Sequence, residues 1–437
     1  MSLKLFYKDK KFYPLLWTQF FGALNDNFYK NALVVLVTFK SVELWGMNSS
    51  SLVAFCGGVF ILPFVLFSPL AGQISDKMSK DRIIRITKWF ELFVMLVGVA
   101  GFYFDSTATL VIILFLMGTQ SAFFGPTKYS VIPDLAEERM LTTANAYVQM
   151  STFIAILIGT ILGGLAAGQK DYVSLVSLGI LFFAGIGIIA AYKMPFVSVA
   201  DPEIKLKYNP FPQIGHFLNL PRFDKTVFNS VLSISWFWFL GAGILSVIPV
   251  MTKNLLQSSE EVVTLFLAIF TIGIAIGAIV CERISREKVK LILVPLAALA
   301  MTAFLLDLSW LLSSWDPVFF FLPDGQLGVS QFFDRPNSHR LVFDLFLFSV
   351  MGGLYTVPLY TFIQKRVSRG IRSRIVAANN IYNAFFMVIS SVMLMGLYAL
   401  SMTFPQVLLV YALLNLVMIA YICFTTPEFI HQEKRVS

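Results

Sequence analysis

Charge is scarce in this chain: 13% of its 437 residues are Asp, Glu, Lys or Arg, where a soluble protein carries about 25%. With 57% hydrophobic residues and a mean hydropathy of +0.77, that scarcity excludes a water-soluble globule. Surface-to-volume scaling leaves no interior large enough to hide so much apolar side chain. Cysteine and histidine are scarcer still, three of each. Cys56, Cys281 and Cys423 lie far apart in apolar runs, so they offer neither a disulfide framework nor a metal-ligand spacing and read as small core residues. There is no P-loop, no H-E-x-x-H, no serine nucleophile elbow and no Cys/His cluster, which leaves an enzyme without its chemistry. No cofactor and no metal are expected.

What the chain does have is long apolar runs. A span needs about 20 mostly apolar residues, and twelve stretches qualify, near 13–39, 52–74, 83–104, 107–127, 144–168, 172–193, 227–251, 261–281, 290–312, 341–363, 375–400 and 405–425. All should be helices, because backbone exposed to lipid must satisfy its hydrogen bonds internally. The expectation is an all-α membrane protein. The N-terminus is basic and then apolar, like a secretory signal. The run that follows is too long for a cleaved segment and lacks a small-residue cleavage site, so it reads as the first span.

Lys and Arg give the orientation. With both termini cytoplasmic, 27 of the 33 fall in inner segments and 5 in outer loops, Lys30 being the remaining one. That is the positive-inside bias, and it accounts for the net charge of +8 without a nucleic-acid partner.

The stretch 194–226, with five prolines and mixed charge, separates six spans from six and reads as a cytoplasmic connector between an N-terminal half (1–193) and a C-terminal half (227–437). His216 within it reads as a surface histidine. The outer loop 313–340 is rich in Phe, Asp and Pro and shows no catalytic spacing. Internal similarity supports two halves. DKMSKDR (Asp76 to Arg82) follows the second span and ERISREK (Glu282 to Lys288) the eighth, at an offset of 206 residues, and ANAY (Ala144 to Tyr147) is echoed by ANNI (Ala378 to Ile381).

The first span breaks the apolar pattern. WTQFFGALNDNFYKNALVVLVTFK (Trp17 to Lys40) holds Asn25, Asp26, Asn27, Lys30 and Asn31 in its middle. At about 100° per residue, Asp26 and Lys30 fall about 40° apart on one face with Gln19 between them; Asn27 and Asn31 flank the stripe. One Asp or Lys at the bilayer centre costs about 2.5–3.5 kcal/mol on insertion scales. The acid precedes the base by four residues, permitting a pair worth about 0.2–0.5 kcal/mol, which reduces that cost without accounting for the charges. Two readings stand: a buried polar cluster that ties helices together, or a stripe bordering the aqueous cavity between the halves of a carrier.

GQISDKMSKDR (Gly72 to Arg82) resembles the loop motif of the major facilitator superfamily, roughly G-x-L-x-D-x-x-G-R-R, with Ser79 in place of the second glycine. FFGALNDNFYKNAL, GPTKYSVIPD (Gly125 to Asp134), ANAYVQMSTFIAILIGTILGG (Ala144 to Gly164) and MGGLYTVPLYTFIQ (Met351 to Gln364) together resemble the bacterial lysophospholipid transporter family of that superfamily. The resemblance covers most of the chain outside 194–226 and 313–340. It implies the major facilitator fold, twelve transmembrane helices in two six-helix halves. It also implies a flippase carrying lysophospholipids, chiefly lysophosphatidylethanolamine, to the inner leaflet of the cytoplasmic membrane for reacylation. The expected partners are the lysophospholipid substrate, membrane lipids and a separate lysophospholipid acyltransferase, since the chain to Ser437 carries no such domain; a monomer is expected.

Some relatives carry a basic residue in the seventh helix, whereas SWFWFLGAGILSVIPV (Ser235 to Val250) has none. The fifth helix reads GTILGG where superfamily antiporters have G-P-x-x-G-G, and the fourth lacks the arginine of proton-coupled drug exporters. Both count against the rival reading, an exporter of an amphipathic drug or metabolite, cation-coupled through Asp26.

For a zwitterionic lipid head, Asp26 is expected to attract the ammonium, with Lys30, Asn27, Asn31 and Gln19 meeting phosphate or hydroxyls. Further binding candidates are Gln120, Lys128 within GPTKY, Glu91, which can equally pair with Lys88, and Asn379, Asn380 and Asn383. Asp76 suits the positive end of a neighbouring helix, with Lys77, Lys80 and Arg82 pairing across an inner gate and Glu282 and Arg283 as repeat equivalents. The plainer reading makes these ordinary inside-positive loop charges. WFWF (Trp236 to Phe239) is compatible with a groove for the acyl tail.

Overall fold

The computed structural model describes residues 11–39, 46–47, 49–286, 288–315 and 326–430. The basic N-terminal segment before Lys11, the part 316–325 of the expected outer loop, Glu287 of the second charged motif and the C-terminal lysine and arginine lie outside those residues. Among the described residues the long elements are twelve helices of 21 to 30 residues. They are α1 (Tyr13–Phe39), α2 (Ser49–Lys77), α3 (Lys80–Tyr103), α4 (Thr107–Leu135), α5 (Leu141–Ala167) and α6 (Tyr172–Tyr192), then α7 (Lys225–Asn254), α8 (Glu260–Ser285), α9 (Leu293–Ser313), α10 (Ser338–Arg366), α11 (Arg372–Ala399) and α12 (Phe404–Thr425). At 1.5 Å rise per residue the shortest is about 31 Å long, enough for a hydrocarbon core of about 30 Å. Ten contain a stretch apolar enough to cross a membrane; α1 and α3 do not. Polar residues make the difference: the amides and charges of α1, and Lys80, Asp81, Arg82, Arg85, Lys88 and Glu91 on α3.

Several helices outrun the expected spans at polar ends, α2 to Lys77 and α4 to Leu135. Tertiary partners hold these extra turns, which run length cannot register. Thr127 donates to Ser75 Oγ at 3.1 Å, and Lys80 Nζ meets Asp134 Oδ2 at 2.8 Å. Local chemistry sets other boundaries. Asp105 takes φ 50° between α3 and α4, and Ser106 caps α4 by accepting from Thr109 N. Asp224 Oδ1 caps α7, accepting from Thr226 N at 2.9 Å and Val227 N at 3.1 Å; this satisfies first-turn donors that the helix cannot.

The chain forms two compact units, Met1–Phe223 with Gln364–Ala384, and Asp224–Ile363 with Phe385–Ser437. In the first, Gly159 and Gly163 of α5 lie on the backbone of α1: a Cβ on either would meet the carbonyl oxygen of Leu24 or Phe28. The same face is pinned by Asn31 Nδ2 donating to Thr160 O at 2.7 Å. On its other side α1 buries Phe28 and Tyr29 among Val94, Met95, Ile113 and Ile180, and the Tyr29 hydroxyl reaches Leu110 O at 2.8 Å. The connector is strapped to this unit. Lys207 N donates to Gln73 Oε1 at 2.8 Å, Lys77 Nζ to Ile204 O at 2.7 Å, and Phe217 of its short helix Pro210–Asn219 packs on Ala377, Ala378 and Ile381.

In the second unit, Gly277 of α8 and Gly353 of α10 serve the same close approach, each facing the partner helix's backbone. Asn415 of α12 ties α9 and α7 together, donating to Ala298 O and Thr302 Oγ1, both at 2.9 Å, and accepting from Trp236 Nε1 at 2.8 Å. Trp236 stacks on Phe239 at 4.6 Å, so this end of WFWF is engaged in helix packing.

Candidate functional site

The polar residues of α1 separate into a half-buried layer and a fully buried one. Asp26, Asn27, Lys30 and Asn31 are half-buried. Asp26 and Lys30 do not pair, although their spacing allows it. Asp26 Oδ2 accepts from Ser121 of α4 at 2.9 Å, and the Lys30 ammonium lies over the Phe60 ring of α2, 4.3 Å from its centroid. Asn27 donates to Ala23 O of its own helix at 2.7 Å. Lys128, half-buried on α4, sits over the Tyr129 ring at 4.7 Å and within electrostatic reach of Asp26. One acid and two bases thus share a region without neutralising one another by direct contact.

Beneath them is a buried network centred on Glu91. Glu91 of α3, 2% exposed, receives Asn25 Nδ2 at 3.0 Å, Lys88 Nζ at 2.6 Å and Gln120 Nε2 at 3.3 Å. Gln120 Oε1 accepts in turn from Ser121, the residue that holds Asp26. Lys88, 1% exposed, lies between Gly22 of α1 and Gly187 of α6 and over Phe124 at 5.2 Å. Those glycines leave the slot its side chain occupies. Glu91 and Gln120 therefore face protein partners and orient Asn25 and Ser121 from below. Gln19 is likewise buried, bonded to Ser151 and accepting from Thr152 at 2.6 Å, on α5.

The α11 amides differ. Among the described residues, Asn379, 1% exposed, has no hydrogen-bond partner for Nδ2 or Oδ1, and Asn380 Nδ2 has none. Buried amides left open in this way are rare. Asn383 is buried and partnered.

A second cluster gathers the ends of α2, α3 and α4 around the start of α11. Asp76, fully buried, accepts Ser373 N at 3.2 Å and Arg374 Nε at 3.0 Å; Arg374 Nη2 also reaches Asp201 Oδ2 at 2.9 Å. The carboxylate thus meets one first-turn backbone donor of a helix as well as a guanidinium. Asp134 bridges Lys80 at 2.8 Å and Arg369 at 2.9 Å, and Ser373 joins Ser75 at 3.0 Å and Ser130 at 2.8 Å. Lys77 binds a connector carbonyl instead, and Arg82 is exposed. Glu282 and Arg283 lie in the last turn of α8, in the second unit, the former half-buried and partnered and the latter exposed. Reasoning from sequence passed over Ser121, Arg369, Ser373 and Arg374. The one available signal was the basic cluster RGIRSR that opens α11.

Twelve bilayer-length helices, with a charged stripe midway along one of them and a buried ion-pair hub at the helix ends, define a multi-pass membrane transporter. The chain belongs to the Major Facilitator Superfamily, whose sequence profile matches residues 15–391. It is 24% identical over 396 residues to the lysophospholipid transporter LplT of Serratia proteamaculans (strain 568), covering 89% of this chain and 87% of that one. It is 26% identical over 393 residues to the protein of the same name from Enterobacter sp. (strain 638), with 88% and 86% covered. Among solved structures, the human organic anion transporter MFSD10 (TETRAN) matches with a TM-score of 0.72 at 14% identity, covering 93% of this chain and 98% of that one. The proton:xylose symporter XylE matches with a TM-score of 0.70 at 13% identity and 95% coverage of both chains. These two likenesses carry the fold. The relatives and the fold are those of transporters, not enzymes.

Proposed function

We propose that this protein is a lysophospholipid flippase of the cytoplasmic membrane, moving lysophosphatidylethanolamine to the inner leaflet by alternating access of two six-helix halves. The observation that carries the reading is the uncompensated set Asp26, Lys30 and Lys128. A zwitterionic head needs an anion for its ammonium and a cation for its phosphate, and here the Asp26 carboxylate and the two ammoniums do not cancel each other in an ion pair. The resemblance to lysophospholipid transporters at 24–26% identity supports the same substrate class. Both termini are taken as cytoplasmic on the Lys/Arg distribution. The protein is taken to act as a monomer, delivering substrate to a separate acyltransferase. In this reading Asp76 with Arg374 closes the inner side, and the open amides of Asn379 contact the cargo.

Labelled lysophosphatidylethanolamine taken up by proteoliposomes is the test. A charge-assisted hydrogen bond is worth about 1.5–3 kcal/mol, so Asp26→Asn should slow uptake about tenfold to a hundredfold. Absence of uptake by the wild type sinks the proposal and favours export of another amphiphile.

A further inference from the structure

We propose that the cleft between the start of α1 and the end of α6 holds one anionic phospholipid of the inner leaflet, an acyl chain along the cleft and the phosphate on Lys193. Both helices belong to the first unit. The cleft is a cavity of about 720 Å³, lined on α1 by Tyr13, Trp17 and Phe21 and on α6 by Ile186, Ile189 and, at its end, Lys193. That volume lies within the range of about 300–1,000 Å³ usual for small-molecule sites. Trp17 is 44% exposed and Ile189 60% exposed, so on a membrane-spanning chain this surface meets lipid.

The two walls have the shape an acyl chain needs. Tyr13, Trp17 and Phe21 recur every four residues and share one face of α1. Trp17 stacks on Phe21 with centroids 5.6 Å apart and lies 6.3 Å from Tyr13. Ile186, Ile189 and Lys193 fall at i, i+3 and i+7, one stripe of α6. Nearer mid-span the helices close up. A Cβ on Gly179 would meet the Phe28 ring, which also lies 5.4 Å from Phe183, and Lys88 fills the slot between Gly22 and Gly187. Tyr13 to Phe21 covers about 12 Å along the axis, most of the roughly 15 Å of hydrocarbon in one leaflet.

The charged end sits at headgroup level. Trp89 of α3 donates Nε1 to the Tyr192 hydroxyl at 3.0 Å, and both rings are more than half exposed, the placement of an aromatic belt at the membrane boundary. Lys193 follows Tyr192 directly and is exposed, and among the described residues its ammonium makes no hydrogen bond or ion pair. No acidic side chain among the described residues lines the cleft. A phosphate therefore finds a cation, whereas the ammonium of a zwitterionic head finds no anion, and an anionic lipid is selected. Trp17 points about 180° away from Asp26 around α1, so the occupant is a resident lipid and not the cargo of the Asp26 stripe.

Tryptophan quenching in the purified full chain, in mixed micelles, tests the assignment. Phosphatidylglycerol or phosphatidylethanolamine with brominated acyl chains is titrated in, and the Trp17 signal is the wild-type emission less that of Trp17→Phe. Half-quenching of Trp17 should need about fivefold less of the phosphatidylglycerol, the weight of one lysine beside an anionic lipid. Lys193→Gln should erase that preference, while Lys225→Gln, at another exposed lysine, keeps it. All three substitutions are at exposed positions, so the fold is kept. Equal half-quenching by the two lipids in the wild type, a preference that survives Lys193→Gln, or one lost in Lys225→Gln overturns the proposal. Relief of the quenching by lysophosphatidylethanolamine at equal mole fraction also overturns it, by making the cleft a path for cargo.

Discussion

The Lys88–Glu91 pair offers the sharpest test of how the α1 stripe is supported. Both side chains are almost completely enclosed, at 1% and 2% exposure, and lie 2.6 Å apart. Removing one member of a buried pair strands the other charge at a cost of about 3–5 kcal/mol, whereas replacing both by neutral side chains of similar volume is often near neutral. Glu91→Gln leaves the Lys88 ammonium in its slot facing a neutral amide, so the full cost applies. Lys88→Met should fall at the low end, because Asn25 and Gln120 still donate to Glu91. The double variant Lys88→Met/Glu91→Gln removes both charges and should cost far less than the sum of the singles, about 6–8 kcal/mol, because no buried charge is left unpaired. Unfolding in mixed micelles gives the cycle, and proteoliposome uptake gives the functional arm. If Glu91 acts from beneath, the double variant keeps uptake within a few fold of wild type. Additive losses refute the stranded-charge reasoning, and a stable double variant without uptake shows that Glu91 contacts cargo.

Gly163→Ala should destabilise by about 1–3 kcal/mol, the usual cost of overpacking, because its Cβ meets the carbonyl of Phe28, which cannot swing aside like a side chain. Gly185→Ala, with open space around its Cβ, should match wild type in thermal melting. Arg374→Ala leaves Asp76 buried without its guanidinium and should cost about 3–5 kcal/mol; Asp76→Asn in the same chain should restore much of it. Both should change cysteine-accessibility labelling from the two sides of the membrane, and unchanged labelling would rule out a gate there. Lys128→Ala should cut lysophosphatidylethanolamine uptake about tenfold, the loss of one modest charged hydrogen bond. Melting should be unaffected, because the side chain is half-buried and rests on one ring; equal loss of folded protein would mark a structural residue.

The α1 stripe shows how far sequence reasoning carries. Helical periodicity placed Gln19, Asp26 and Lys30 on one face, a purely local relation that any straight helix preserves. The same periodicity allowed an Asp26–Lys30 pair that does not form, because Ser121 lies 95 residues on in sequence and takes the carboxylate. Glu91 carried two sequence readings, and in the structure it pairs with Lys88 at 2.6 Å. The charged motif at Asp76 was visible as a pattern, but its partners Ser373 and Arg374 are nearly 300 residues away. That the backbone of α1 lies against Gly159 and Gly163 of α5 is likewise a tertiary fact, which no local pattern names.

From sequence alone, the chain was bound to be a bundle of membrane-spanning helices. Apolar run length, the skew of Lys and Arg and the need to satisfy backbone groups in lipid all act through composition and short spacing. Tertiary structure alone decided which polar side chains are sealed in networks and which keep a face open. Hydrogen-bond and ion-pair partners are chosen by helix packing over distances that no local pattern encodes. Lys88 between Gly22 and Gly187 is the clearest case: three residues on three helices become one slot only when the helices are assembled.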